Sequence, residues 1–250
     1  MGLLLMMTTF GALILLVQHI STMLQAPNIA ATAGAELLRI ARVENPDEVV
    51  NRDDISRLAQ DDRLGTMETE AYPVRVRRNG YIQSIDPAIL LTLAQEEDLV
   101  VRLLHKPGDF VWNDVAVAAV WPAARVDERL DKQLRRAFRV GNQRTPTQDV
   151  ECAINQLVEM AVRAMSPAIN DPFTAMTCLD HIGVGLALFV RQGEESLNTF
   201  DRQGKLRLVF EPVTFDVLLS ATFDMLRHAG CDNASVLLHM LAVIESIGRE

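Results

Sequence analysis

The chain opens on "MGLLLMMTTFGALILLV", and no formally charged residue occurs before Glu36. An uncharged apolar stretch of this length is membrane-like, and it constrains the fold more than any other feature of the sequence. A span needs about 20 apolar residues. Continuing through "QHISTML" supplies that length, with Gln18 and His19 left at the interface. Residues 1–24 are therefore expected to form one transmembrane helix. No basic segment precedes the run and no small-x-small cleavage site follows it, which separates it from a secretory signal. Arg39 and Arg42 follow the span, while no basic residue precedes it. Positive-inside reasoning then makes this a single-pass protein of the cell membrane, with its soluble part in the cytoplasm.

Composition limits what that soluble part does. At 250 residues and 49% hydrophobic, the chain can bury one substantial core or two small ones; 5% aromatic content points to aliphatic helix packing. A net charge of -9 repels a phosphate backbone, and no basic stripe interleaved with aromatics is written in the sequence, so nucleic acid is not an expected partner. The partners expected are the membrane, a second copy of the chain or another membrane protein. Cys152, Cys178 and Cys231 lie far apart in helical patterns, without the close pairing of zinc or redox motifs. They read as structural thiols in a reducing compartment. No metal and no cofactor is expected.

Past the anchor, residues 25–72 read as a helical linker, polar through "ENPDEVVNRDDISRLAQDD" and ending in a loop before Pro73. The period then changes. "YPVRVRRNGYIQSID" alternates, and Asn79-Gly80 falls where a two-residue hairpin turn requires positive φ, so Pro73–Arg77 and Tyr81–Ile85 are expected to pair as a hairpin. Asp86 caps a short helix with Pro87 in its first turn, and "DLVVRLL" and "VAVAAVW" return to strand around the "KPGDF" turn. Residues 73–122 thus form a small β module with one inserted helix. From 123 to 250 the pattern is a helical bundle, with helices expected over 126–139, 147–165, 172–191, 213–228 and 234–247 and a short strand at Leu206–Phe210. Thr145-Pro146-Thr147-Gln148 matches a capping box, with Thr145 as the cap. The fold class is α+β, mainly α.

"MSPAINDPFTA", Met165 to Ala175, interrupts two apolar helical stretches. Ser166 before Pro167 and Asp171 before Pro172 are each an acceptor side chain ahead of a proline that needs no amide partner, so both read as helix caps. Proline also drives its preceding residue out of the α region, forcing a turn at Asn170-Asp171. The alternative reading is a site. Asn155 and Arg163 on the preceding helix could form a polar groove with Asn170 and Asp171 that holds a small polar ligand or a cation. The plainer account of Glu159 and Arg163 is an exposed i,i+4 pair. Gly183 and Gly185 sit inside a helix rather than after a strand, so they allow close helix approach instead of phosphate binding.

The segment "RTPTQDVECAINQLVEMAVRAMSPAINDPFTAMTCLD" closely resembles the signature of a bacterial family of predicted membrane proteins, domain of unknown function 2254. "QHISTMLQAPNIA", "GYIQSID" and "RLLHKPGDFVW" match it in the same order. The resemblance implies several amino-terminal membrane helices followed by a cytoplasmic domain, of which this chain resembles a truncated member keeping only the last membrane helix. It implies no activity, substrate or catalytic residue. "GYIQSID" and "KPGDFV" also resemble the two halves of a barrel-sandwich hybrid, the fold of biotinyl and lipoyl carriers. Lys106 is the only lysine there and does not sit in a hairpin tip between them, so a carrier role is not expected.

The expected function follows from these pieces. A membrane-anchored cytoplasmic protein of this kind acts in assembly, scaffolding or regulation of a membrane complex. The alternative is a small-ligand-binding or enzymatic domain centred on the junction from Ser166 to Thr174. No nucleophile–base pair and no phosphate loop is written in the sequence, so no catalytic residue is assigned and enzymatic chemistry is the weaker reading.

Overall fold

In the computed structural model the described residues are 2–23, 26–43, 70–192, 199–210 and 213–249. Of the linker expected over 25–72, residues 26–43 are helical and 44–69 lie outside the described residues. The chain divides into two units: Arg39–Cys152 with Phe189–Leu218, and Met1–Leu38 with Ala153–Leu188 and Leu219–Glu250. The described residues are mixed α+β, mainly helical, with two small sheets.

In the first unit, runs of alternating apolar residues make eight short strands among the described residues: β1 (Tyr72–Arg75), β2 (Gly80–Ile85), β3 (Val100–Leu103), β4 (Phe110–Val111), β5 (Ala116–Trp121), β6 (Phe138–Gly141), β7 (Thr199–Phe200) and β8 (Leu206–Val209). They form a five-stranded sheet in the order β1-β5-β3-β8-β7 and a three-stranded sheet in the order β4-β2-β6. All pairings are antiparallel except β3 with β8, where Val101 lies opposite Leu208. The two sheets share a core in which Val74, Ile82, Val101, Val111 and Val120 are fully buried. Each such aliphatic side chain contributes about 1.5–3 kcal/mol by leaving water. β6, β7 and β8 come from outside 73–122, so strand pairing recruits chain that reads locally as part of the helical region. The strand expected at Leu206–Phe210 is β8.

β2 shows how the sequence meets the pleat. Ile82 and Ile85 are three apart and would face opposite sides of a regular strand, yet both are buried. A register shift between Ile82 and Ser84 against β6 inserts the extra residue that brings them to one face. Two helices close this core. α3 (Pro87–Glu96) buries Leu90, Leu93 and Ala94, capped by Asp86 Oδ1, which accepts the Ala88 and Ile89 amides at 3.0 and 3.1 Å. α4 (Glu128–Arg136) buries Leu130 and Leu134 and is capped by Asp127, whose Oδ1 accepts the Leu130 amide at 2.7 Å.

The hairpin expected at Asn79-Gly80 does not form. β1 pairs with β5 in one sheet and β2 pairs with β4 and β6 in the other, so the chain crosses between sheets at residues 76–79. Asn79 Oδ1 accepts the Asn113 amide at 2.7 Å rather than closing a two-residue turn. Gly80 does adopt φ +151°, and an added Cβ would strike the Gly141 carbonyl oxygen. The glycine is needed for a close strand approach; the local turn signal is real, but long-range pairing decides the partner.

The second unit is helical: α1 (Gly2–Met23), α8 (Ala234–Ile247) and most of α2 (Ala26–Val43), of α5 (Val150–Ala164), of α6 (Pro172–Gln192) and of α7 (Phe215–Ala229). α6 is its central element. Ala175, Cys178, Leu179, Ile182 and Leu186 are fully buried along one stripe. Cβ atoms added at Gly34, Gly183 and Gly185 would lie 2.5 Å from His181 Nδ1, 2.6 Å from Val243 Cγ1 and 2.5 Å from Leu37 Cδ2. Missing side chains thus let α2 and α8 approach α6 closely, the role expected of "GVG" from its place inside a helix.

Candidate functional site

The break at "MSPAINDPFTA" is built from backbone bonds. α5 ends at Ala164, and the Ser166 carbonyl accepts the Ile169 and Asn170 amides at 3.0 and 2.8 Å. Asn170 takes the left-handed conformation, φ +47°, which asparagine tolerates better than most residues. The Asp171 amide then returns to the Ala164 carbonyl at 2.8 Å, closing the loop. Asp171 starts α6: Oδ1 accepts the Thr174 amide at 3.1 Å and Oδ2 accepts the Thr174 hydroxyl at 2.6 Å. These bonds, the hydroxyl first and the amide second, hold the Asp171 carboxyl below its ordinary range. At Ser166 it is the backbone carbonyl that closes the turn.

The four residues of the ligand reading are distributed as follows. Arg163 pairs with Glu159 at 3.2 Å, both largely in water. Asp171 has both carboxylate oxygens engaged by Thr174. Asn170 is exposed, and Asn155 is half-buried on α5. No hydrogen bond or ion pair among the described residues links any two of the four side chains.

Thr145 does not cap α5, which begins at Val150. Asp149 takes that position, its Oδ1 accepting the Cys152 amide at 2.9 Å. Thr145 instead donates to the Gln83 carbonyl at 3.4 Å, and Gln148 bonds both backbone groups of Ile85, at 2.8 and 3.0 Å. Two cap signals stand within five residues, and docking of "TPTQ" on β2 selects the second.

A closed ionic network surrounds that cap. Asp149 is 3% exposed and receives Arg144 in a bidentate pair, Nε to Oδ2 at 2.7 Å and Nη2 to Oδ1 at 2.8 Å. Donating to the Asp149 carboxylate holds the Arg144 guanidinium more firmly charged than usual. Arg144 Nη2 also lies 3.6 Å from Glu151, which pairs with Lys106. Lys106 belongs to the "HKPGDF" turn, where the Asp109 carboxylate accepts the Lys106 amide at 3.0 Å and faces His105 Nδ1 at 3.3 Å. The turn is tied to β2 by the Gly108 amide to the Ile82 carbonyl, 2.8 Å, and the Ile82 amide to the Asp109 carbonyl, 2.9 Å. Gly108 is at φ +97°, and an added Cβ would fall on the Asp149 carboxylate. Every carboxylate here already has a donor and the lysine is engaged, so the cluster locks two loops rather than presenting a nucleophile.

A second lock was not legible in sequence. Arg207, 5% exposed, donates through Nη1 to Asp98 at 2.8 Å and to the Ala94 carbonyl at 3.1 Å, and through Nε to Asp201 at 2.9 Å. Asp98, at φ +50° just past α3, also receives Arg125 and Lys205, and these donors, Arg125 foremost, hold its carboxyl far below its ordinary range. The only hint is a lone arginine inside the apolar strand "LRLVF". Among the described residues no group of three or more histidine, cysteine or acidic side chains could hold a metal ion.

An uncharacterized protein of Mycobacterium tuberculosis and one of Mycobacterium bovis are each 25% identical over 185 residues, covering 72% of this chain and 35% of the relative. The chain therefore matches about a third of the length of these curated relatives. No solved structure matches. The family profile described as "Predicted membrane protein (DUF2254)" matches residues 1–246, and the chain belongs to that family.

Proposed function

We propose that this chain is a membrane-anchored protein whose cytoplasmic β unit and helical unit serve in the assembly, scaffolding or regulation of a membrane complex. The observation that carries the anchor is α1. Met6, Met7, Phe10, Leu13, Ile14, Leu15 and Leu16 are all 49–72% exposed, on every side of the helix. A helix apolar all round and covered by nothing in the chain's described residues fits lipid as its solvent. By length and composition, Pro172–Arg191 is the one helix among the described residues long and apolar enough to span a membrane, with 44% of its apolar window buried, while Met6–Leu16 of α1 is a shorter apolar stretch. The stripe of fully buried residues along Pro172–Arg191 supports reading it as the core of the helical unit.

The scaffold reading rests on the site geometry. The two clusters of charged groups are closed networks, and the junction at Asp171 is a helix cap. The paired sheets support a barrel-sandwich-like reading of the β unit used for packing; Lys106, held by Glu151, is not free to carry a prosthetic group. The test is recovery of the chain from membranes in mild detergent, with mass spectrometry of what accompanies it. A stoichiometric membrane-protein partner or a homo-oligomer is expected; a monomer that turns over a small molecule contradicts the scaffold. Sidedness has its own reporter, since Cys231 is exposed while Cys152 and Cys178 are buried. A membrane-impermeant maleimide should label Cys231 in inverted vesicles and not in intact spheroplasts; the reverse pattern overturns the cytoplasmic placement.

A further inference from the structure

The first unit carries an exposed patch that no function above uses. Residues Pro73–Ile82, "PVRVRRNGYI", contain Arg75, Arg77 and Arg78 and no acid. Arg75 is engaged, donating to the Asp114 carbonyl at 2.5 Å. Arg77 and Arg78 are exposed and make no salt bridge among the described residues. Glu128 feels the charge of Arg77, but it pairs with Lys132 at 2.8 Å.

Strand pairing brings aromatic rings to these arginines. In the register of β2 with β4, Gly80 lies opposite Val111 and Tyr81 opposite Phe110. The same ladder continues outward through the Asn113 amide to Asn79 Oδ1 and the Asp114 amide to the Val76 carbonyl, 2.7 and 2.8 Å, which sets Trp112 beside residues 78–79. Tyr81, Phe110 and Trp112 stack edge to face, with ring centroids 5.0 and 5.7 Å apart. Phe110 is 42% and Trp112 66% exposed. A stacked aromatic row left in water beside free arginines is the composition of a membrane–water interface, where amphipathic rings sit at headgroup depth and guanidinium groups meet phosphate.

We propose that Arg77, Arg78, Tyr81, Phe110 and Trp112 form a headgroup-binding patch by which the β unit docks on an anionic bilayer surface. The choice of lipid rests on charge and on tethering. An anionic leaflet attracts juxtamembrane arginines by an amount worth about five-fold in affinity for each one, so the two together supply about 25-fold. A chain of net charge -9 with two free cations in one place is poorly suited to tracking a nucleic-acid backbone, which rewards many phosphate contacts. A bilayer already held close by an anchor needs only such a weak patch, because tethering raises its effective concentration. In that respect the inference rests on the anchor reading.

The experiment reconstitutes the full chain in phosphatidylcholine vesicles, or in phosphatidylcholine with phosphatidylglycerol, each with brominated acyl chains. Trp112 emission is taken as the difference between wild type and Trp112→Phe. Blue-shifted, bromine-quenched Trp112 emission is expected in the anionic vesicles and much less of both in the neutral ones. The Arg77→Gln, Arg78→Gln double variant should lower the docked-to-free ratio about 25-fold. Identical Trp112 emission in both vesicles, equally open to iodide, overturns the patch. A Trp112 response to an added oligonucleotide that is stronger than its response to phosphatidylglycerol overturns it in favour of nucleic acid. Alkaline carbonate separates the two readings: a chain that washes off, but whose Trp112 was quenched before the wash, refutes the anchor and leaves the patch standing.

Discussion

Replacing Asp149 should destabilise the β unit in two separable steps. Its carboxylate accepts the Cys152 amide as the cap of α5 and receives Arg144 at two atoms, with almost no exposure to water. Asp149→Ala removes the cap, at about 1 kcal/mol. It also strips Arg144 of its charge-assisted partner, at about 1.5–3 kcal/mol. The lower end applies, because about a third of the Arg144 side chain reaches water and Glu151 remains 3.6 Å away. The sum is about 2.5 kcal/mol. Asp149→Asn keeps an acceptor for the Cys152 amide and loses only the charge, so about 1.5 kcal/mol is expected. For a chain of this size those figures correspond to falls in Tm of roughly 5–10 °C and 3–6 °C. Thermal unfolding of the detergent-solubilised chain, followed by far-UV circular dichroism and by the emission of Trp112 and Trp121, reads both. A double-mutant cycle with Arg144→Ala should return a coupling of about 1.5 kcal/mol. Variants within about 1 °C of wild type, or a cycle with no coupling, would refute the claim that this network locks the two loops.

Gly80→Ala should lower Tm although Gly80 is not in a hairpin turn, since a Cβ there meets the Gly141 carbonyl; an unchanged melt would contradict the observed register of β2 with β6. Gly183→Val should disrupt the helical unit by driving α6 away from Val243, with a loss of near-native near-UV signal as the readout. Asp171→Asn and Asp171→Ser should be nearly silent at pH 7, whereas Asp171→Ala should lower Tm, because the first two still accept the Thr174 amide. Asp171 also has a pH signature. Its carboxyl is depressed in the folded chain, so its contribution is complete above the ordinary aspartate value of about 3.9 and fades as pH falls from there through the folded value. The Asn variant should lose that acid-side component, and a wild-type acid limb identical to that of Asn would count against the bond.

The helical elements were the most legible part of the fold. Asp86-Pro87 and Asp171-Pro172 put an acceptor before a proline, a signal complete within two residues, and both mark the observed helix starts. Strand partners were not legible in the same way. Asn79-Gly80 carries a strong hairpin signal, but β1 finds β5 and β2 finds β6 across long stretches of chain, and nothing local encodes that choice. Thr145 failed for a related reason, since a tertiary contact with Gln83 competes with the cap. The ionic network at Asp149 joins "HKPGDF" to "RTPTQDVE", two segments that each carried the family resemblance, though their meeting needed three dimensions. The aromatic patch was hidden because Tyr81 meets Phe110, on which Trp112 stacks, only through the β2–β4 register.

The anchor is the claim on which the proposed function depends, and alkaline carbonate extraction of the wild-type chain beside a Leu13→Arg, Leu15→Arg variant tests it directly. Both leucines are exposed on α1, and an arginine at the centre of a span costs about 2.5–3.5 kcal/mol in insertion. Wild type should remain in the membrane pellet and the double variant should appear largely in the supernatant. Wild type in the supernatant, or a variant retained as firmly as wild type, would contradict α1 as the segment that holds this protein in the membrane.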